Sequence, residues 1–301
     1  MTNTVALNSQ QTLPVRIIGR GQPVLMLPGL GMSSAQWLPF VLPHSRRFRF
    51  YLPDFRGQGR AAHLRFTGDD VFESHADDVE QLVQHLGLQD IFLVGYSLGA
   101  TTSLHWLQRG GFSNVRRYLH IDQSPCVGNR DGWSFGLAGE RQPELVACMH
   151  DVLALLESFP DIDHAAELPQ PARTQLAGLL KDMLRLLGND ARKRKVFGAL
   201  LAKGPAWLLR ALPLLDLSVL RAYLTAYSGG GHDYRAALQQ SHADVTAFIG
   251  MKSPLYHPDG QALVAESAAS GRVVRFERSG HVPLLSEPVK FMREFGRFLN
   301  G

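Results

Sequence analysis

Residues 91–108 read IFLVGYSLGATTSLHWLQ, and they carry the strongest indication of the fold class. It begins with four apolar residues in a row, which indicates a strand buried on both faces, as in a parallel sheet covered by helices. A turn with glycine and serine follows, and Leu98 to Gln108 is predicted to be a helix. A buried strand that leads into a helix is the repeating unit of α/β folds.

Other strands and helices alternate around this unit. Asp70 is predicted to cap a helix that ends near Gly87, because an acidic N-cap and a glycine C-cap are typical of helix ends. Arg20 to Pro23, between the first two short strands, predicts a hairpin-like turn. β-type runs lie at 14–19, 24–27, 48–52, 115–121, 245–250 and 272–277. Strands and helices in this order predict a parallel sheet.

A long helical segment interrupts the alternation. From about Pro125 to Ser241 apolar residues recur at helical spacing, including the stretch 205–217 (PAWLLRALPLLDL). The sequence therefore predicts an α/β core formed by 1–124 and 243–301, with a helical insertion at 125–242.

Composition excludes several classes of protein. The 301 residues contain 31 Lys and Arg against 27 Asp and Glu, and a net charge of +4 does not favour a nucleic-acid partner. No run approaches the about 18 apolar residues of a membrane span, and the first residues do not resemble a secretory signal. Cys126 and Cys148 form neither a disulfide framework nor a Cys-x-x-Cys zinc site. We therefore expect reduced thiols and a cytoplasmic location.

The turn after the buried strand carries a motif for nucleophilic catalysis. Residues 95–99 (GYSLG) match G-x-S-x-G, which lifts a serine hydroxyl above the sheet when a strand precedes it and a helix follows. A serine needs a base within hydrogen-bond reach. His281 follows Gly280 after the last predicted strand and precedes the final helix. The pattern predicts Ser97 as nucleophile and His281 as base.

At these residues the chain resembles the α/β-hydrolase superfamily, in particular its serine esterases and lipases. Three further segments carry the resemblance, which covers about 1–124 and 243–301: 27–32 (LPGLGM), 53–60 (PDFRGQGR) and 279–283 (SGHVP). The resemblance implies a mostly parallel sheet flanked by helices and makes the insertion a helical cap or lid. It also implies an oxyanion hole formed by the backbone N–H groups of Leu30 and Leu98. Pro28 replaces a histidine common in the family, but the donors are main-chain groups.

The resemblance also indicates two places for the catalytic acid. Many members carry an aspartate in a G-x-x-D pattern after the strand at 245–250, but here Ser253 occupies that position. The second family location follows the strand after the nucleophile helix, where this chain has Asp122. Asp122 is the predicted acid, and Asp259, in the loop after Ser253, is the alternative.

The predicted function is a serine hydrolase that cleaves a carboxylic ester of a small molecule with a hydrophobic acyl or aryl group. No cofactor is implied, and no metal-ligand motif such as His-Glu-x-x-His is present. Acyl transfer, perhydrolysis or C–C bond hydrolysis by the same three residues are alternatives. A ligand-binding or receptor protein and a cofactor-free oxygenase on this fold are further alternatives. The oligomeric state stays open.

Two features of the insertion bear on its partners. Apolar residues that are candidates to line a substrate pocket are Trp133, Phe135, Leu137, Trp207, Leu208 and Leu209. The basic run 192–195 (RKRK) is either a solvated helix end or a site for an acidic substrate, an acyl carrier or a membrane surface.

Overall fold

One sheet of eight strands organises the chain in the computed structural model, which describes residues 2–7, 11–66, 68, 70–188, 190–210 and 215–301. The strand order is β1-β2-β4-β3-β5-β6-β7-β8. The strands are β1 (Thr2–Ala6), β2 (Thr12–Gly19), β3 (Gln22–Leu27), β4 (Phe48–Pro53), β5 (Ile91–Tyr96), β6 (Val115–Ile121), β7 (Asp244–Gly250) and β8 (Ser270–Phe276). β3 to β8 pair in parallel, whereas β2 pairs antiparallel with both β1 and β4.

Helices lie in the connections between these strands and after the last strand. They are α1 (Leu38–Val41), α2 (Val71–His85), α3 (Leu98–Gln108), α4 (Gln142–Glu157), α5 (Gln170–Leu186), α6 (Ala191–Lys203), α7 (Ala206–Leu209), α8 (Leu217–Ser228), α9 (Arg235–Gln239), α10 (Pro258–Glu266), α11 (Pro283–Ser286) and α12 (Pro288–Asn300). Among the described residues, no helix combines the length and apolar character needed to span a membrane.

β5 is covered on both faces, as its continuous apolar run predicts. Ile91 and Leu93 point into a core cluster that includes residues of α2, α3 and α10. Phe92 and Val94 point to the opposite cluster, which includes residues of α1 and α12. Because successive side chains of a strand face opposite sides, only an apolar run buries both. The predicted α/β fold, a mostly parallel sheet flanked by helices, is confirmed.

The predicted hairpin-like turn at Arg20 to Pro23 connects β2 and β3. The prediction of a hairpin is wrong, because β4 lies between these two strands in the sheet. The chain turns at Gly19 and Gly21, which have φ of +86° and +100° and approach the backbone that leads into β4. Arg20 N–H donates to Ser45 O at 3.1 Å. The glycines therefore let the turn pass close to a third segment, which then pairs with both strands.

Helices α4 to α9 all lie between β6 and β7, where the helical pattern occurs in the sequence. Helices α4 to α8 share a core cluster, which includes Leu145 of α4, Leu176 of α5, Leu201 of α6 and Leu224 of α8, whereas Leu238 of α9 packs in the cluster of α2 and α3. Within the predicted helical stretch 205–217, residues 211–214 lie outside the described part of the chain.

Two buried histidines make stability depend on pH. His75 in α2 stacks on Phe55, and burial together with the nearby Arg56 charge lowers its pKa to about 3. Burial lowers the pKa of His120 in β6 to about 4, although a hydrogen bond to Gln123 O and the Asp122 charge raise it. Both side chains are therefore neutral in the folded protein at pH 5, where unfolded histidines, with pKa about 6.5, bind protons.

We expect the free energy of unfolding to fall as the pH drops below about 6.5, because the unfolded chain then binds more protons than the folded one. Two such groups contribute a slope of up to about 2.7 kcal/mol per pH unit between their folded and unfolded pKa values. Urea unfolding at several pH values measures this slope. The variants His75→Gln and His120→Gln should each reduce it, and an unchanged slope in the double variant would contradict the assignment.

Candidate active site

Ser97 occupies a strained turn between β5 and α3. Its φ is +51°, a conformation that costs a non-glycine residue about 1–3 kcal/mol. The two flanking glycines make the turn possible, because a Cβ on Gly95 would lie 2.7 Å from Ala100 Cα and one on Gly99 would lie 2.3 Å from Leu27 O. The motif thus holds a serine hydroxyl at the carboxyl end of a central strand, where open α/β sheets bind ligands.

A chain of two hydrogen bonds connects the three residues that the sequence singles out. Ser97 Oγ lies 2.8 Å from His281 Nε2, and His281 Nδ1 lies 2.5 Å from Asp122 Oδ2. Asp122 is fully buried directly after β6, and His281 lies in the loop between β8 and α11. With the Nδ1 proton donated to Asp122, the Nε2 atom of His281 is free to accept the serine proton.

Asp122 has two further hydrogen-bond partners, one at the end of β7 and one in the segment that follows it. Gly250 N–H donates to its Oδ1 at 2.9 Å, and Ser253 Oγ donates to its Oδ2 at 2.7 Å. Gly250 allows this approach, because a Cβ there would lie 2.6 Å from Asp122 Oδ1. Sequence reasoning missed the contact of Ser253 with the carboxylate. The available signal was its position, where the resemblance places an acid in many relatives.

The alternative acid lies elsewhere. Asp259 is in the first turn of α10, its side chain is 77% exposed, and its nearest ionic partner is His257 Nδ1 at 3.6 Å. The structure brings Asp122, and not Asp259, to the imidazole of His281.

Leu30 and Leu98, the two predicted oxyanion donors, belong to separate segments near Ser97. Leu98 is the first residue of α3, where backbone N–H groups have no acceptor within the helix. Leu30 lies in the loop after β3, and both Leu30 and Ser97 line the same cavity. The hydrogen bonds of the described residues include no protein acceptor for the Leu30 N–H.

The 53–60 segment holds the Leu30 loop in place. Gly31 N–H donates to Gln58 Oε1 at 2.5 Å, and Ser34 Oγ donates to Asp54 Oδ2 at 3.1 Å. Arg56 anchors this segment to α2 through a bidentate, fully buried salt bridge to Asp78. Sequence reasoning found the segment by resemblance only. Its contacts give it a positioning role for the loop that carries the predicted oxyanion donor.

A second network holds the loop that carries His281. Glu287 Oε1 accepts hydrogen bonds from Arg278 N and Ser279 Oγ, both at 2.9 Å. Tyr96 Oη donates to the backbone oxygen of His281 at 3.0 Å. The loop is therefore held at two places: at residues 278 and 279, before the base, and at the backbone oxygen of His281 itself.

A cavity of about 730 Å³ opens at Ser97 and His281. Residues of α4, α5 and α8 line it together with residues at or after the carboxyl ends of β3, β5, β7 and β8. The apolar side chains among its lining residues are Leu30, Leu137, Met149, Met183, Leu187, Val219, Leu220, Leu224, Pro254, Leu255 and Val282. Tyr96, Tyr223, Tyr227, Tyr256 and Lys252 supply the longer polar side chains.

Of the aromatic and apolar residues predicted as pocket candidates, Leu137 lines this cavity. Trp133 is buried against Phe135, which itself packs on His257. Leu209 belongs to the core cluster of α4 to α8, and Trp207 is exposed to solvent. A helical apolar pattern predicts burial, but it does not distinguish a helix core from a cavity wall.

The described residues contain no group of three His, Cys, Asp or Glu side chains placed to hold a metal ion. The chemistry that the arrangement supports is proton transfer from a serine to an imidazole whose other nitrogen is held by a carboxylate. Such an arrangement activates the hydroxyl for attack at a carbonyl carbon.

Known proteins match the chain along nearly its whole length. A family model described as the alpha/beta hydrolase fold matches residues 22–288. AB hydrolase superfamily protein YisY of Bacillus subtilis is 28% identical over 306 residues, which cover 100% of both chains. The pimeloyl-acyl-carrier-protein methyl ester esterase of Nitrosomonas europaea is 24% identical over 286 residues, which cover 94% of this chain and 98% of the relative. Among solved structures, an esterase of Exiguobacterium antarcticum has a TM-score of 0.69 at 23% identity, with 100% of both chains covered. At that identity the similarity concerns the fold.

Proposed function

The chain belongs to the alpha/beta hydrolase family, and from this premise we propose that it is a serine hydrolase that cleaves carboxylic esters through an acyl-enzyme. Ser97 is the proposed nucleophile, His281 the base and Asp122 the acid. The observation that carries the proposal is the hydrogen-bonded chain from Ser97 Oγ through the His281 imidazole to Asp122 Oδ2.

The first half-reaction forms the acyl-enzyme. Ser97 Oγ attacks the ester carbonyl carbon while His281 Nε2 takes the hydroxyl proton. The carbonyl oxygen becomes an oxyanion, which the N–H groups of Leu30 and Leu98 stabilise by hydrogen bonds. The bond to the alcohol oxygen then breaks, and His281 Nε2 returns its proton to that oxygen. The buried Asp122 carboxylate stabilises the imidazolium that exists between these two proton transfers.

The second half-reaction releases the acid. Water attacks the acyl carbon, gives a proton to His281 Nε2, and forms a second oxyanion at the same two N–H groups. When this intermediate collapses, the C–O bond to Ser97 breaks and His281 returns the proton to Ser97 Oγ. The hydrogen bonds from Gly250 and Ser253 keep Asp122 in the geometry that both halves require.

We further propose that residues 125–242 act as a cap over the core formed by 1–124 and 243–301. Cavity-lining residues in α4, α5 and α8 support this role, because they line the same cavity as Ser97 and His281. A cap of this kind shields the acyl group from water and supplies apolar contacts.

The proposed substrate is an ester of a small molecule with a hydrophobic acyl or aryl group. The apolar cavity wall supports this class, and its volume lies within the range of sites that enclose a drug-sized ligand. The cytoplasmic location inferred from the thiols stays a prediction.

Chain-length preference tests the substrate class. Across p-nitrophenyl esters from acetate to decanoate we expect kcat/KM to rise with acyl length, because each buried methylene contributes up to about 0.8 kcal/mol, or about fourfold. Met183→Trp, which fills part of the cavity, should shift the optimum to shorter acyl chains.

Leu184→Trp is the matched control, because Leu184 neighbours Met183 on α5 but does not line the cavity. It should leave the length profile unchanged. A profile that peaks at acetate, or one that both variants shift equally, would contradict the apolar acyl site. Failure of the wild type to hydrolyse any ester would contradict the proposed function itself.

A further inference from the structure

The positive charge of the chain is concentrated in α5 to α7. Residues 170–210 contain nine Lys and Arg but only two Asp, a net charge of +7. The whole chain has a net charge of +4, so the other 260 residues together carry −3. The small net charge of the whole chain is therefore the sum of a strongly basic segment, 170–210, and a slightly acidic remainder.

The basic residues of α6 are placed where they do not stabilise the helix. Arg192, Lys193, Arg194 and Lys195 occupy the second to fifth positions of the helix, after the N-cap Asp190 and Ala191. Positive charges at a helix N-terminus oppose the helix dipole, and neighbouring like charges repel one another. The side chains of Arg192, Lys193 and Lys195 are exposed and form no ion pair with any described residue. An anionic partner outside the chain would relieve both penalties.

Two large apolar side chains of the same basic segment are exposed. Val196, one turn after Arg192, is 63% exposed, and Trp207 of α7 is 72% exposed. Trp37, Trp106 and Trp133 are all buried. Exposed tryptophan together with Lys and Arg is the combination found on surfaces that lie at the boundary between lipid headgroups and acyl chains.

The basic helix α6 follows a part of the cavity lining directly in the sequence. Met183, Leu187 and Gly188 line the cavity at the end of α5, and α6 begins at Ala191. A partner that binds to α6 therefore lies close to the cavity-lining residues at the end of α5.

We propose that Arg192, Lys193, Lys195, Val196, Lys203 and Trp207, here called the basic face, dock on a lipid bilayer that contains anionic lipids. The cations bind lipid phosphates, and Trp207 and Val196 enter the interfacial layer. Unpaired cations and exposed apolar side chains in one chain segment favour this partner over an acidic protein or a nucleic acid. The docking is independent of the hydrolytic activity, so binding alone tests it.

Vesicle binding of the full chain is the experiment. We expect the protein to float with vesicles of phosphatidylcholine and phosphatidylglycerol, and to bind vesicles of phosphatidylcholine alone at least about tenfold more weakly. Tryptophan emission should shift to the blue on binding. Because the other three tryptophans are buried, the shift reports Trp207, and Trp207→Phe should abolish it.

Charge reversal locates the surface. The triple variant Arg192→Glu/Lys193→Glu/Lys195→Glu should lose about tenfold or more in binding to anionic vesicles. The matched control Arg20→Glu/Arg46→Glu/Arg275→Glu reverses three exposed arginines outside residues 170–210 and should bind almost as the wild type does.

Three results would overturn the proposal. They are no binding to anionic vesicles, equal loss of binding in the two triple variants, and binding to polyglutamate without binding to vesicles. The second result would show attraction by net charge alone, and the third would indicate an acidic polypeptide as partner.

Discussion

Ser97→Ala is expected to lower kcat for p-nitrophenyl ester hydrolysis by on the order of 10⁵ to 10⁶, with little effect on folding. The change removes the only atom that forms the acyl bond, whereas the neighbouring backbone and the flanking glycines stay as they are. Steady-state turnover of the best ester, with the fold monitored by circular dichroism, measures the loss.

Ser103→Ala is the matched control for this loss. Ser103 is a buried serine on the same helix α3, and its Oγ donates to Gly99 O at 2.7 Å. We expect it to retain kcat within about tenfold, because it removes one neutral hydrogen bond away from the reacting atoms. Activity that survives in Ser97→Ala would contradict the nucleophile assignment and favour the oxygenase alternative, in which His281 and Asp122 act without the serine.

Asp122→Asn is expected to lower kcat by about 10⁴. The asparagine cannot offset the charge of the imidazolium, and an amide N–H directed at Nδ1 favours the tautomer whose Nε2 is protonated. Such an imidazole cannot take the serine proton. Gly250 N–H still donates to the retained oxygen of the asparagine, and Ser253 Oγ can accept from the new amide, so the residue should stay in place and the loss should occur in catalysis and not in stability.

Two control variants distinguish the role of the Asp122 carboxylate from those of neighbouring groups. Ser253→Ala removes one hydrogen bond to the same carboxylate oxygen and should cost at most about tenfold in kcat. Asp259→Asn, at the exposed start of α10, should change little. If Asp259→Asn lowered kcat more than Asp122→Asn, the acid assignment would be wrong.

The local chemistry of this chain can be predicted from its sequence because the relevant signals are local. The apolar run at 91–94 indicates a buried strand, and the motif GYSLG at 95–99 that follows it indicates a sharp turn. The same holds for the helix capped by Asp70, whose side chain accepts from Phe72 N–H. These features depend on backbone geometry and on burial within a few residues.

Sheet order and contacts between distant segments could not be predicted in the same way. The position of β4 between β2 and β3 depends on how the turn at Gly19 and Gly21 fits against another segment. The hydrogen bond between Ser253 and Asp122 joins residues 131 positions apart. Their separation in the sequence carries no periodic signal, and only the packing of β6 beside β7 brings them together.

A covalent adduct on Ser97 would identify this residue as the nucleophile. A p-nitrophenyl alkylphosphonate, which a serine nucleophile attacks with loss of one nitrophenol, should add one alkylphosphonyl group to each chain. Intact-mass measurement followed by peptide mapping should place it on Ser97 in the wild type and find none in Ser97→Ala. Adduct formation at another residue, or ester turnover by a protein whose Ser97 stays unmodified by the inhibitor, would contradict the account.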